Sequence, residues 1–404
     1  MRGIIYEKSF VLFIVSDFIS QFSAGIVLAA MNWYIIDMYR SNTLIATFAN
    51  INVVAGLLIS IIAVVLLRKV NLKRVGMISY CFRIIFIVLP LLLFSVGVKN
   101  HMAIYLLALS NGIGWNLYFP ASKDILNSFT LEKNVLEINS FAEISMQVGL
   151  FSSALVSGIL YHYIGFINIL IIGTLLFIGS FFIFTLIKYN EPIETDLEDK
   201  TKIISYLLEQ KWLILLGLVL YIPFIGANII NTSLPGYIQE HLAGNSISYG
   251  FTDTMYGIGA CLAGILLPNY CKIYPKRSSY FAIVSHCCNF RSIFSINRSL
   301  TLGASYIFLL GLVGPAIRTV IYTRAMEFVP SNLLGAVVSF WNFVNLIFQF
   351  GVNYSVGKIM DHVGAQWGFM VYVSLMILGA LIFSSIKKPY KYVNNNKDHL
   401  KERI

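Results

Sequence analysis

The sequence predicts an all-α membrane protein of twelve transmembrane helices, arranged as two similar six-helix halves. Three observations predict it. The chain is 57% hydrophobic and only 12% charged, with a mean hydropathy of +0.76, which leaves too little polar surface to clothe a water-soluble globule of 404 residues. Apolar runs of about twenty residues recur along the whole length, each long enough at ~1.5 Å per residue to cross ~30 Å of hydrocarbon. One strongly polar interruption divides these runs evenly.

The first half holds runs over 9–36, 43–67, 75–98, 102–126, 138–162 and 166–187. The first of them is too long for a signal peptide and leads straight into further spans, so it is expected to stay. Membrane strands need only about ten residues and cannot stand alone in lipid with unpaired backbone groups, so the runs read as helices. The interruption, "KYNEPIETDLEDKTK" over 188–202, has five acids from Glu191 to Asp199 and reads as a flexible linker. Directly after it, Ile203, Ile204, Leu207 and Leu208 share one helical face, which predicts a short surface helix.

The second half holds runs over 212–234, 250–267, 279–296, 301–324, 334–359 and 367–386. Span nine is the least apolar and carries His286, Asn289 and Arg291. The expected organisation is therefore a bundle over 1–187, a linker over 188–210, a second bundle over 211–386 and a basic tail over 387–404. The small residues Gly257, Gly259, Ala260, Ala263 and Gly264 of span eight are expected to serve close helix packing, and Trp33, Trp212 and Trp367 to sit at the membrane interfaces.

Charge sets the orientation. Of the 29 Lys and Arg residues, Arg40, Lys99, Arg298 and Lys358 fall on one side and Arg83, Arg291 and Arg318 within spans; all others share the side of the N terminus. That bias places both termini in the cytoplasm. The net charge of +10 accordingly reports topology, with loops such as "RKVNLKR" facing anionic lipid headgroups, and no nucleic-acid partner is needed to explain it. A cell-membrane location follows, and a monomer is expected.

Composition also excludes several classes. The five cysteines form no CxxC pair and the six histidines no HxxH or HExxH spacing, so neither a disulfide framework nor a metal site is indicated. There is no GxxxxGK[ST] to mark a nucleotide-driven pump, no cofactor motif, and no convergent nucleophile and base to suggest an enzyme.

Shifting the chain by 199 positions brings Gly112 onto Gly311, Phe151 onto Phe350, Gly158 onto Gly357 and Gly165 onto Gly364, and puts Lys73 and Lys272 in equivalent loops. Parallel halves of six helices are the organisation of the major facilitator fold. The stretch from Asn111 to Phe166 resembles the region of spans four and five in major facilitator exporters related to macrolide efflux proteins. Its carriers are Pro120-Ala121, the connector through Leu131 and Asn139, and the closing "SGILYHYIG". Three departures stand beside that resemblance. Ala63 and Leu67 occupy the Gly and Asp places of the family's loop between spans two and three. Asn111 replaces an Arg of span four, and Ser152-Ser153 replaces the Gly-Pro of antiporters.

The resemblance implies that spans one, four, seven and ten surround a central cavity, so buried polar residues there are the candidate site. Asp17 lies about 12 Å into span one, too deep for its short side chain to reach water outside, and Gln21 follows one turn on. A carboxyl that alternates between charged and neutral is able to couple protons to a substrate; the competing reading is an acid that locks helices together. Arg318 of span ten is the candidate opposite charge or anion ligand, or else a donor to carbonyls freed by Pro315. Glu143 reads as a second proton site or an interfacial acid, and Arg83 as a side chain that snorkels to the surface.

Asn111, Trp115, Asn116 and Tyr118 of span four, with Tyr221, Asn228 and Asn231 of span seven, are the candidate cavity lining; interhelical bonding explains the amides equally well. The function expected is export of a small amphipathic molecule in exchange for protons from a bacterial cytoplasm, by alternating access. The alternatives are an importer, a lipid or siderophore carrier of the same fold, or a non-transporting receptor or degenerate relative.

Overall fold

The computed structural model describes residues 2–69, 71–97, 101–129, 135–188, 211–273, 297–328 and 331–385. They form α1 (Arg2–Tyr39), α2 (Asn42–Lys69), α3 (Leu72–Ser95), α4 (His101–Ser128) and α5 (Val135–Thr185), followed by α6 (Lys211–Gly236), which ends in a π-helical turn at Tyr237–His241. Then come α7 (Ser246–Ile273), α8 (Leu300–Phe328), α9 (Ser331–Val363) and α10 (Trp367–Ser385). Among the described residues, six helices are long and apolar enough to cross a membrane.

The helix α5 is two spans joined at Gly165, whose φ of 77° breaks the helix. Only glycine adopts that backbone without strain. Gly364, its partner in the 199-residue repeat, has φ of 120° between α9 and α10. Spans one to six are thus α1 to α5, and spans seven, eight, ten, eleven and twelve are α6 to α10. Span nine with Arg291, the surface helix expected at 203–208 and the basic tail all lie outside the described residues.

The two halves meet through equivalent crossings. The upper part of span five packs on α7, and α9 packs on α2. A side chain at Gly158 would meet Ser246 O, and one at Gly357 would meet Asn42 O and Thr43. The backbone carbonyl of Phe151 accepts a hydrogen bond from Thr254 at 3.2 Å, and that of Phe350, its repeat partner, accepts one from Asn50 at 3.0 Å. The faint sequence repeat therefore corresponds to a repeated mode of contact between pseudo-symmetric bundles.

Local chemistry sets the helix ends. Asn71 caps α3 by accepting from Lys73 N at 2.9 Å. The Lys73 ammonium donates to Thr185 O at 2.7 Å and Ile187 O at 2.6 Å, satisfying carbonyls left open at the end of α5.

Candidate functional site

Polar residues at three- and four-residue spacing give α1 a wet stripe that other helices must cover. The Ser16 hydroxyl donates to Ser180 O at 3.0 Å and lies 3.2 Å from Tyr80 Oη, while Ser23 donates to Gly173 O at 2.8 Å. These serines are fully buried. They fasten α1 to the second limb of α5 with interhelical bonds, each worth ~0.6 kcal/mol.

Asp17 is turned to the next face. It is 5% exposed and accepts a hydrogen bond from Tyr118 Oη at 2.8 Å and a longer one from Gln21 Nε2 at 3.4 Å. A small cavity of about 20 Å3 lies beside it, walled by Trp115, Phe119 and Lys123 of α4 and by Ala142 and Met146 of α5. That is room for about one water.

Arg83 departs from the sequence expectation of a snorkelling side chain. It is 1% exposed, with its guanidinium carbon 5.7 Å from the Tyr118 ring centroid and 5.2 Å from that of Phe177. Among the described residues its Nε and Nη2 have no hydrogen-bond partner, and Nη1 meets Ser20 Oγ at 3.5 Å. The aromatic faces and the attraction of Asp17 offset part of the cost of burying it.

A far larger cavity, about 720 Å3, separates the two halves. Its N-half wall is Gly25, Leu28, Ala29 and Asn32 of α1 with Glu143, Gln147, Phe151 and Ser153 of α5. Its C-half wall is Ala227 and Asn231 of α6, Tyr249, Asp253, Tyr256, Ala260, Cys261 and Gly264 of α7, and Pro315 of α8. Ala260 and Gly264 thus face open space, whereas Gly257 packs on Phe151 and Gly259 on Phe308 as close-packing glycines.

One end of this cavity is shut. Trp33, expected at an interface, is instead 4% exposed and stacked on Tyr249 with centroids 5.6 Å apart. Beyond it, Gln239 donates to Asp37 at 3.3 Å and Asn42 to Glu240 at 3.4 Å. Asp361 of α9 accepts from the N–H groups of Asn42 and Thr43 at 2.7 and 3.0 Å. The closed end is the one away from most basic residues.

Span four stands back from the central cavity, because α4 packs chiefly against α2 and α3. Trp115 and Tyr118 line the Asp17 pocket, and Asn111 lines a small cavity with Arg83. Asn116 donates to Gly112 O at 2.8 Å and packs against Gly56. In span seven, Asn231 lines the central cavity, Asn228 donates to Phe224 O at 3.0 Å, and Tyr221 faces an apolar groove with Trp341 and Leu375. Glu143 lies at the open end of the central cavity, where it accepts from Gln147 Nε2 at 2.8 Å. The Arg318 side chain lies outside the described residues.

Residues 13–350 match the Major Facilitator Superfamily. The chain belongs to that superfamily. Solved structures agree on the fold of this major facilitator protein. A nucleoside transporter, NupG, superposes with a TM-score of 0.73 at 12% identity, covering 95% of this chain and 99% of its own. A bacterial homologue of the iron transporter ferroportin, in its inward-facing state, gives 0.70 at 11%, covering 94% and 98%. A D-xylose–proton symporter gives 0.73 at 10%, covering 95% and 98%. No protein of curated function matches the chain by sequence. It is a transporter and not an enzyme.

Asp253 is the site residue that sequence reasoning missed. The signal was present, an acid in the opening turns of span eight within "GFTDTMYGIG", and the rule applied to Asp17 picks it out equally well. In this major facilitator protein the inner face of α5 also links both pockets. Ala142 and Met146 touch the Asp17 pocket, while Glu143 and Gln147, one residue on, touch the central cavity.

Proposed function

We propose that this chain exports a small amphipathic molecule from the cytoplasm in exchange for protons. The observation that carries this reading is the cavity of about 720 Å3 between the halves, shut at the end away from the basic residues and walled by aromatics, amides and carboxylates. A bulky, partly apolar ligand suits such walls. Alternating access comes from rocking one bundle against the other about the α2–α9 and α5–α7 crossings.

Asp17 is the proposed proton site. It is separated from the ligand cavity by the α5 segment that contacts both. Protonation removes the charge that the Tyr118 hydroxyl serves, and the small cavity gives the carboxyl freedom to turn. A shift of the α5 segment then transmits that change to Glu143 and Gln147.

Proteoliposomes test the reading. An imposed pH gradient should drive uphill accumulation of an amphipathic dye with measurable proton release, and Asp17→Asn should abolish accumulation while sparing dye exchange at zero gradient. Unchanged uphill transport by Asp17→Asn would remove Asp17 from the mechanism. Accumulation in the direction of proton flow would identify an importer instead.

A further inference from the structure

The central cavity has a blind end with a charge of its own. Asp253 lies seven residues into α7, ~10 Å along the helix from Ser246, and its carboxylate has neither hydrogen bond nor ion pair with any described residue. Asn32, 6% exposed, faces the same cavity from α1, opposite Tyr249 of α7. Tyr249 precedes Asp253 by one helical turn and Tyr256 follows by nearly one, so aromatic rings flank the acid on its own face. Phe151 adds a third ring from the other half.

No Lys, Arg or His occurs among the described lining residues, and the only other ionisable carboxyl there is Glu143 at the open end. Glu143 is already bonded to Gln147. A carboxylate held in such a place without a partner is stabilised either by taking up a proton or by meeting a cation. A ring-lined pocket with a half-buried acid on its wall is also the chemistry that holds an organic cation by charge and by the faces of the rings.

We infer that the central cavity binds an amphipathic organic cation, with Asp253 as its counter-ion and Tyr249, Tyr256 and Phe151 as the ring wall. The inference rests on the reading of this cavity as the substrate site, but not on export or on proton exchange. The cation enters from the open end past Glu143 and comes to rest against the closure formed by Trp33 and Tyr249. Arg318 follows Pro315 by three residues in α8, and its side chain lies outside the described residues.

The full-length protein in nanodiscs is titrated with tetraphenylphosphonium and with tetraphenylborate, which share size and shape and differ in sign. Saturable binding of the phosphonium at least tenfold tighter than of the borate is expected. Asp253→Asn should weaken the phosphonium at least tenfold, and Asp253→Glu should restore most of it. Equal binding of both ions, tighter binding of the borate, binding of neither, or an Asp253→Asn protein that binds phosphonium as the wild type does would each overturn the inference.

A second readout needs no change at Asp253. Cys261 is exposed on the same wall, so a cationic methanethiosulfonate should modify it faster than an anionic one, after correction for their rates with a free thiol, with the adduct located by mass spectrometry. A corrected ratio of one or below overturns the inference even if Asp253→Asn fails to fold. Charge-selective binding without proton-linked transport would leave the inference standing and remove only the antiport mechanism.

Discussion

Asp361 of α9 caps the first turn of α2 across the boundary between the halves, accepting the Asn42 N–H at 2.7 Å and the Thr43 N–H at 3.0 Å. A carboxylate at a helix N-terminus satisfies orphan donors and meets the positive end of the helix dipole. Here the helix belongs to one bundle and the acid to the other, so the cap is also a latch on the closed end.

Removing that latch should favour opening at the closed end. Asp361→Ala is expected to shift the equilibrium by on the order of 1 kcal/mol, or about fivefold in population. Spin-label distances between the α1–α2 turn and the end of α9 measure it. An unchanged distance distribution would show that the cap contributes nothing to closure.

The same acid sets a pH dependence. Burial alone would raise its pKa, but the donors of Thr43 and Asn42 outweigh burial and hold it below the ordinary carboxylate value. Opening frees the group to return to its ordinary value. The latch is therefore at full strength above the ordinary carboxylate range and is lost as pH falls through that range to the lowered value of the closed state. The spin-label distance should lengthen on acidification between pH 7 and about pH 3, and part of that change should be missing in Asp361→Asn.

Closure also depends on helix approach. A Cβ at Gly250 would strike Ala154 O and lie 3.1 Å from Gly158 Cα. Gly250→Leu should force α5 and α7 apart at a cost of ~1–3 kcal/mol to the closed state. Ser246 donates to Gly158 O across this crossing at 2.9 Å, so thiol labelling of a cysteine placed there should become faster from the closed end, and a protected Ser246→Cys thiol would refute this.

Gly264 offers the opposite case, since an added Cβ there meets nothing within 4 Å and the residue faces the central cavity. Gly264→Phe should fill the cavity and abolish binding of a bulky ligand, with folding stability unchanged to within roughly ±0.5 kcal/mol. Retained binding would place the ligand elsewhere.

Tyr118→Phe removes the short hydrogen bond to Asp17. A hydrogen bond to a charged group contributes ~1.5–3 kcal/mol, so proton-driven accumulation should slow roughly tenfold or more while ligand binding in the central cavity stays unchanged. Equal losses in both would mean that the pair serves only to hold α1 against α4.

Hydrophobic run length, loop charge and a weak repeat determined that this chain is a multi-span helical protein in two halves, because those features act through the solvent and need no knowledge of neighbours. They also singled out Asp17, Gln21 and Tyr118 as polar residues in apolar helices. What no periodicity contains is which helix covers which face. Asp17 and Asn32 lie 15 residues apart on α1 with similar facing, yet α4 and α5 close over the first while the second opens on the cavity. The burial of Arg83 between two rings, the role of Trp33 as a seal and the place of Asp253 on the cavity wall were decided in the same way. Each depends on contacts between residues far apart in the chain, and only packing in three dimensions brings those together.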